Sequence, residues 1–144
     1  MRNLLVRDTE LASTLRISVM RLARRLRAER AETGLTLTQL STLAALERHG
    51  PSTPGVLAEV EKVQPPSMTR IVSSLEQRGL VERSAHPTDG RQVVVSATDD
   101  ARDLLRADRR RREEWLSREL AAMTTEEREA LRAVAPLLER LAGT

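Results

Sequence analysis

Residues 53–96 read TPGVLAEVEKVQPPSMTRIVSSLEQRGLVERSAHPTDGRQVVVS, and this stretch decides the fold. Thr53-Pro54 is a helix start: the threonine hydroxyl is placed to accept a first-turn N–H, and proline in the first helical position gives up a donor that has no intrahelical partner there. Val56, Leu57 and Val60 give the helix that follows a small apolar face. Gln64-Pro65-Pro66-Ser67 opens a second helix, because paired prolines fit only a first turn. Met68, Ile71, Val72 and Leu75 then fall at i, i+3, i+4 and i+7, one buried stripe, and Gly79 stops the helix. Beyond it the texture changes. Leu80 to His86 is a short extended run, Pro87-Thr88-Asp89-Gly90 carries turn chemistry, and Gln92 to Ser96 is rich in β-branched residues. That is a β-hairpin.

Working outward, residues 8–33 place Leu11, Leu15, Val19, Leu22 and Leu26 at helical spacing, with Gly34 as the expected C-terminal stop. Thr38 is the expected cap of a shorter helix with Leu40, Leu43, Ala44 and Leu46 on its buried side, closed by His49-Gly50-Pro51. Thr98-Asp99-Asp100 opens a long helix to about residue 122, with Leu104, Leu105, Trp115, Leu116 and Leu120 on its apolar side. Thr124 to Glu127 has the spacing of a capping box and starts a last helix carrying Leu131, Val134, Leu138 and Leu141. Pro136 lies inside that pattern and should kink it.

The expected fold is mainly α with a small β-hairpin wing, an α+β winged helix-turn-helix flanked by N- and C-terminal dimerisation helices. Residues 36–97 form the expected winged lobe, with the helix-turn-helix at 54–78 and the wing at 80–96. Residues 1–35 and 98–144 form the expected dimerisation region. These flanks carry more apolar helical surface than a winged lobe covers, and two-fold pairing is the common solution.

Composition narrows the functions. The 144 residues contain no cysteine and only two histidines, His49 and His86, which excludes disulfides, thiol chemistry and cysteine-ligated zinc and argues against any metal or other cofactor. The apolar patch at Leu4 to Val6 is too short for a secretory signal and no run is long enough to span a bilayer, so the expected location is the cytoplasm, away from the membrane. Formal net charge is +3. The excess sits in the first 33 residues, which carry eight arginines against four acids. With a single lysine, Lys62, this arginine use is equally a matter of GC-rich coding, so charge alone does not establish a nucleic-acid partner.

The second helix of the pair is more informative. Opposite its apolar stripe lie Pro66, Arg70, Ser73 and Gln77, flanked by Ser67, Thr69 and Ser74, and Glu76 at the side is the lone acid. Hydroxyls bond phosphates or base edges, and an arginine bonds guanine bidentately; a plain solvated face is the competing reading. At the hairpin, Asp89-Gly90-Arg91 puts an arginine where a wing enters the minor groove, with Asp89 placed to hold its guanidinium. The competing reading there is a turn in which Asp89 bonds only backbone and Arg91 is solvated. The candidate DNA contacts are Gln64, Pro66, Ser67, Thr69, Arg70, Ser73, Asp89 and Arg91.

Five segments in order resemble the MarR family of winged helix-turn-helix transcriptional regulators: Leu37 to Leu40, Thr53 to Ala58, Pro65 to Arg70, Leu75 to Val81, and Pro87 to Arg91 with its Asp-x-Arg signature. The resemblance implies a cytoplasmic homodimer built on the first helix and the last two, binding double-stranded DNA as a repressor at a pseudo-palindromic operator. The helix at 65–78 would read the major groove through Ser67, Thr69 and Arg70, and Arg91 would enter the minor groove. It also implies an unidentified small-molecule effector. This chain lacks Tyr and Phe and has one Trp, so a ring-lined pocket is excluded and an aliphatic one with Arg16 or Arg109 to Arg112 as carboxylate anchor is the remaining form. Methionine oxidation at Met20, Met68 or Met123 competes with plain core packing. Pro136 departs from the family's uninterrupted last helix and puts the dimer geometry in question. The alternative function is a protein-interaction adaptor that keeps the winged helix without specific DNA binding. An enzyme is not expected: the acids are scattered over helix faces or used as caps, and no nucleophile faces a base.

Overall fold

The computed structural model describes residues 2–143, with side chains from Val6 onward. In chain order the elements are α1 (Arg2–Ala28), α2 (Leu37–His49), α3 (Pro54–Glu61), α4 (Pro65–Gln77), β1 (Val81–Ala85), β2 (Val93–Ala97), α5 (Asp99–Ala121) and α6 (Thr125–Ala142). They fall into two compact units. One is Ala31–Arg109; the other comprises the chain up to Arg30 and from Arg110 onward.

The Ala31–Arg109 unit is held by one apolar cluster. Leu43, Met68, Val72, Leu75 and Val95 are fully excluded from solvent, and Leu57, Leu46, Val81, Ala101 and Leu105 close around them. The stripe read on α4 is the centre of this core. On α3 the buried residues are Leu57 and Ala58, whereas Val56 and Val60 are each 49% exposed. The apolar face expected there is therefore corrected: an eight-residue helix offers one line of contact, and the neighbours occupy the Leu57 side. The one buried polar side chain on α2, Thr42, is satisfied by donating to Thr38 O at 2.7 Å.

Two helix boundaries differ from the sequence expectation for a tertiary reason. α1 ends at Ala28 rather than near residue 33, and Gly34 does not cap it. The segment after it is held by long-range bonds instead: Ala31 N–H donates to the buried Asp108 at 3.3 Å, and Arg78 reaches Thr33 O at 2.5 Å. α2 begins at Leu37 because Thr36, not Thr38, is its N-cap. Thr36 Oγ1 accepts from Gln39 N–H while Gln39 Oε1 accepts from Thr36 N–H, a complete capping box.

The hairpin is antiparallel, with Val81 opposite Ala97 and Ala85 opposite Val93. Its β2 strand is also gripped on its other edge by Ser52, whose N–H and C=O exchange bonds with Val95 at 3.0 and 2.8 Å. Thr98 ties the hairpin to α5: its hydroxyl donates to Gly79 O at 2.7 Å and accepts from Ala101 N–H at 3.3 Å.

In the other unit, the Arg25 guanidinium lies 4.7 Å over the Trp115 ring. Thr124 and Glu127 form the expected capping box of α6, and Arg128 donates to Leu120 O and Met123 O, covering the open carbonyls at the end of α5. Pro136 stands within α6, which is helical from Thr125 to Ala142. No residue of α6 is buried; Leu131, Val134, Leu137, Leu138 and Leu141 are all exposed, as are Leu11, Val19, Met20 and Leu22 of α1. Among the described residues, no helix is long and apolar enough to cross a membrane.

One ion pair gives the Ala31–Arg109 unit a measurable pH dependence. Arg109 donates to Glu47 Oε1 at 2.9 Å, and this bond holds the Glu47 carboxyl below its ordinary value of 4.5; partial burial opposes the shift, and the charges of Arg109, Arg106 and Arg102 add to it. A carboxyl with a depressed folded pKa stabilises the fold above its unfolded value and loses that contribution as pH falls through the folded one. Because the pair is partly exposed, its worth is at most about 1 kcal/mol. Glu47→Gln is expected to lower stability by no more than this at pH 7, with the gap to the parent closing as pH falls below about 4.5 in denaturant titrations. A gap independent of pH would assign the loss to packing.

Candidate nucleic-acid interface

The α3–turn–α4 corner is built by local chemistry. Thr53 Oγ1 accepts from Val56 N–H at 3.3 Å and Pro54 follows as the first helical residue. α3 closes on Lys62, the one non-glycine among the described residues with positive φ, at 53°; its N–H and that of Val63 return to carbonyls of α3. α4 then starts on Gln64, whose side chain makes no capping bond, and on Pro65 and Pro66, which have no N–H to give. The open donors of this helix end are therefore few, and the positive end of its dipole faces outward with Gln64 and Ser67 N–H beside it.

With Met68, Val72 and Leu75 buried, the opposite face of α4 is fixed toward solvent. Gln64, Pro66, Thr69 and Arg70 are exposed, and Ser67 and Ser73 are half-buried. Thr69 donates its hydroxyl to Pro65 O at 3.1 Å, leaving its oxygen able only to accept. Among the described residues the Arg70 guanidinium has no hydrogen-bond or ion-pair partner.

Ser73 is otherwise engaged. Arg83 of β1 donates from Nη2 to Ser73 Oγ at 3.0 Å and from Nε to Glu76 Oε2 at 2.9 Å. Arg83 is not among the contacts expected from the sequence, which lie on α4 and at the hairpin tip. A partial signal was present: Arg83 stands two residues after the buried Val81, on the same side of the strand, and its charge is opposite to that of Glu76. The contact neutralises the single acid beside the outward face of α4.

At the tip, Asp89 does not hold the Arg91 guanidinium as one of the two sequence readings had it. Asp89 Oδ1 accepts from Arg91 N–H at 3.1 Å, and Asp89 O accepts from Gln92 N–H, so the carboxylate organises the turn. His86 Nδ1 supports the same turn from inside, accepting from Thr88 N–H at 3.2 Å and Asp89 N–H at 3.1 Å. Arg91 is left exposed with only its backbone bonded. The outward face of α4 and the hairpin thus belong to one unit and are joined through Arg83, and each presents one unpaired arginine. Of the arginines weighed as effector anchors, Arg109 is already paired with Glu47. Among the described residues no group of three or more His, Asp or Glu is arranged to hold a metal ion.

Comparison with known proteins places this arrangement. The family model described as MarR family matches residues 35–93, from the loop before α2 to the start of β2. An HTH-type transcriptional regulator of Mycobacterium tuberculosis is 47% identical over 131 residues, covering 91% of this chain and 92% of that protein. The chain belongs to the MarR family. As a MarR-family HTH regulator it is a DNA-binding protein of transcription control, in a winged-helix fold. The crystal structure of a transcriptional regulator of Pseudomonas aeruginosa matches with a TM-score of 0.84 at 38% identity, covering 96% of this chain and 97% of that one. The HTH-type transcriptional repressor MdtR of Bacillus subtilis is 32% identical over 95 residues, 63% of this chain and 61% of that protein.

The hydrogen bonds at the wing tip predict how it responds to substitution. Asp89→Ala is expected to speed amide exchange at Arg91 about twofold to tenfold, the factor that a net bond of about 0.5–1.4 kcal/mol implies. Asp89→Asn, which keeps an acceptor oxygen, should stay near the parent in the same hydrogen-exchange measurement. Equal rates in the parent and Asp89→Ala would remove Asp89 from that role.

Proposed function

We propose that this protein is a repressor that binds a pseudo-palindromic operator as a homodimer in the cytoplasm, with α4 in the major groove and the hairpin in the adjacent minor groove. The observation that carries the reading is Arg70: exposed, unpaired, and set on the face of α4 opposite a stripe that the core excludes from solvent. Gln64, Pro66, Ser67 and Thr69 surround it and supply acceptors, a hydroxyl donor and shape toward base edges and phosphates. Ser73, whose oxygen already accepts from Arg83, serves the interface from behind. Asp89 shapes the turn so that Arg91 projects from it, which suits the narrow, strongly negative minor groove. The repressor activity follows the Bacillus relative named as one.

The dimer reading rests on the uncovered apolar residues of α1 and α6, an amount of exposed leucine that a lone chain rarely carries. A two-fold pair brings one α4 from each copy, and the symmetry asks for half-sites about one helical turn, ~34–36 Å, apart. Leu131→Glu with Leu138→Glu is expected to convert a dimer to a monomer in sedimentation velocity with helix content unchanged. A parent that sediments as a monomer at micromolar concentration would remove the dimer from the proposal.

The functional test is selection of duplexes from a randomised pool, followed by fluorescence anisotropy at several salt concentrations. The expected product is an inverted repeat bound by one dimer. Arg70→Ala should cost about 1–3 kcal/mol on that site and relax preference at one position of each half-site, while Arg91→Ala should weaken all duplexes more evenly. Selection of no sequence, with no salt-dependent binding to any duplex, would favour the adaptor reading, for which the exposed Leu37, Val56 and Val60 of α2 and α3 are the candidate surface.

A further inference from the structure

We propose that Arg83 is a positioning residue for DNA recognition: by bonding Glu76 and Ser73 at once, it fixes the angle between wing and recognition helix and so governs sequence discrimination. This rests on the reading that α4 and the hairpin meet the duplex together. The hairpin is otherwise anchored at its base by Thr98 and, on the free edge of β2, by the Ser52–Val95 bonds level with Arg83, so β1 has Arg83 as its side-chain tie to α4 there, while the tip is held only by its own turn bonds. Arg83 lies between base and tip, and its Nε and Nη2 reach two residues of α4 that are three positions apart, so that one planar group spans neighbouring sites on one helix face. A hinged wing would let Arg91 settle on a phosphate anywhere along the backbone. A braced wing lets Arg91 enter its groove only when α4 is seated in register.

The pair's exposure bears on what Arg83 contributes. Side chains of Arg83 and Glu76 are 34% and 45% exposed, so the pair adds little to global stability. Its effect is local. It also inverts a simple electrostatic expectation. Glu76 is an acid beside a DNA-facing surface, and deleting its charge should tighten binding to any duplex by counterion arithmetic. If Glu76 serves to hold Arg83, deleting its charge loosens the wing and costs discrimination instead. The sign of the Glu76→Gln effect separates the two roles.

The experiment measures the ratio of affinities for the duplex selected by the parent and a scrambled duplex. The variants are Arg83→Ala, Arg83→Lys, Glu76→Gln and the double Arg83→Ala/Glu76→Gln. Positioning predicts that each single variant lowers the ratio about tenfold, roughly the cost of one mismatched base pair. Affinity for scrambled duplex and the salt slope should hold, the double variant should be no worse than the worse single one, and Lys should fail to rescue because it cannot present two donors in one plane. The proposal is overturned if Arg83→Ala weakens both duplexes alike with a slope shallower by about one phosphate, Arg83→Lys restores binding and Glu76→Gln tightens it, since Arg83 would then be a direct phosphate contact. Amide exchange in the free protein tests the brace without DNA. Residues 81–97 should lose protection in Glu76→Gln, the mildest variant, while α2 keeps its own; unchanged hairpin protection also overturns the proposal. A parent that discriminates no sequence would sink the regulator reading and this consequence with it, and the free-protein measurement tells that failure apart from a failed brace.

Discussion

Burial of the Met68–Val72–Leu75 stripe is the constraint from which the rest of the functional lobe follows. Three side chains at full exclusion from solvent, packed with Leu43, Leu57 and Val95, fix the rotation of α4 about its own axis. A helix has only so many faces: once this one is inside, Pro66, Arg70 and their neighbours are outside. Burial of side chains of this size is worth about 1.5–3 kcal/mol each, far more than any polar contact on the outward face. The apolar interior therefore sets which face of α4 points outward, and the polar residues on that face are not constrained by the core.

The second layer of order is polar and local. Gln39, which completes the capping box of α2, also donates from Nε2 to Ser74 Oγ of α4 at 3.0 Å, and Arg78 at the end of α4 ties back to Thr33. Thr98 joins the hairpin's root to α5. Each bond is modest alone, about 1 kcal/mol net. Together they connect elements whose relative angles the hydrophobic cluster, being non-directional, leaves less defined. The wing shows the same division, its strands set by backbone pairing and the buried Val81 and Val95 side chains, its tip by Asp89 and His86.

The two units differ in how far they complete themselves. Ala31–Arg109 closes its own core. The helices outside it keep apolar residues uncovered along α1 and α6.

Much of this was legible in the sequence because it depends on periodicity and on residues with single-minded backbone preferences. The stripe on α4, the proline starts of α3 and α4, the hairpin and the capping box at Thr124 are all set by short-range chemistry, and the structure has them where the spacing put them. What the sequence left open were choices between local partners of similar worth. Thr36 and Thr38 both stand where α2 can begin, and the capping box with Gln39 selects Thr36. The run from Glu29 to Gly34 is helix-compatible, and long-range bonds to Asp108 and Arg78 draw it out of α1. Asp89 had a guanidinium and a backbone amide within reach of the same turn, and the amide is the one bonded. For Arg83 the sequence offered a strand face and an opposite charge but no partner: seven residues separate it from Glu76, and only the fold back of β1 onto α4 makes them neighbours. Local propensity acts within a turn or two of the chain, whereas these contacts exist only after the core has brought distant segments together.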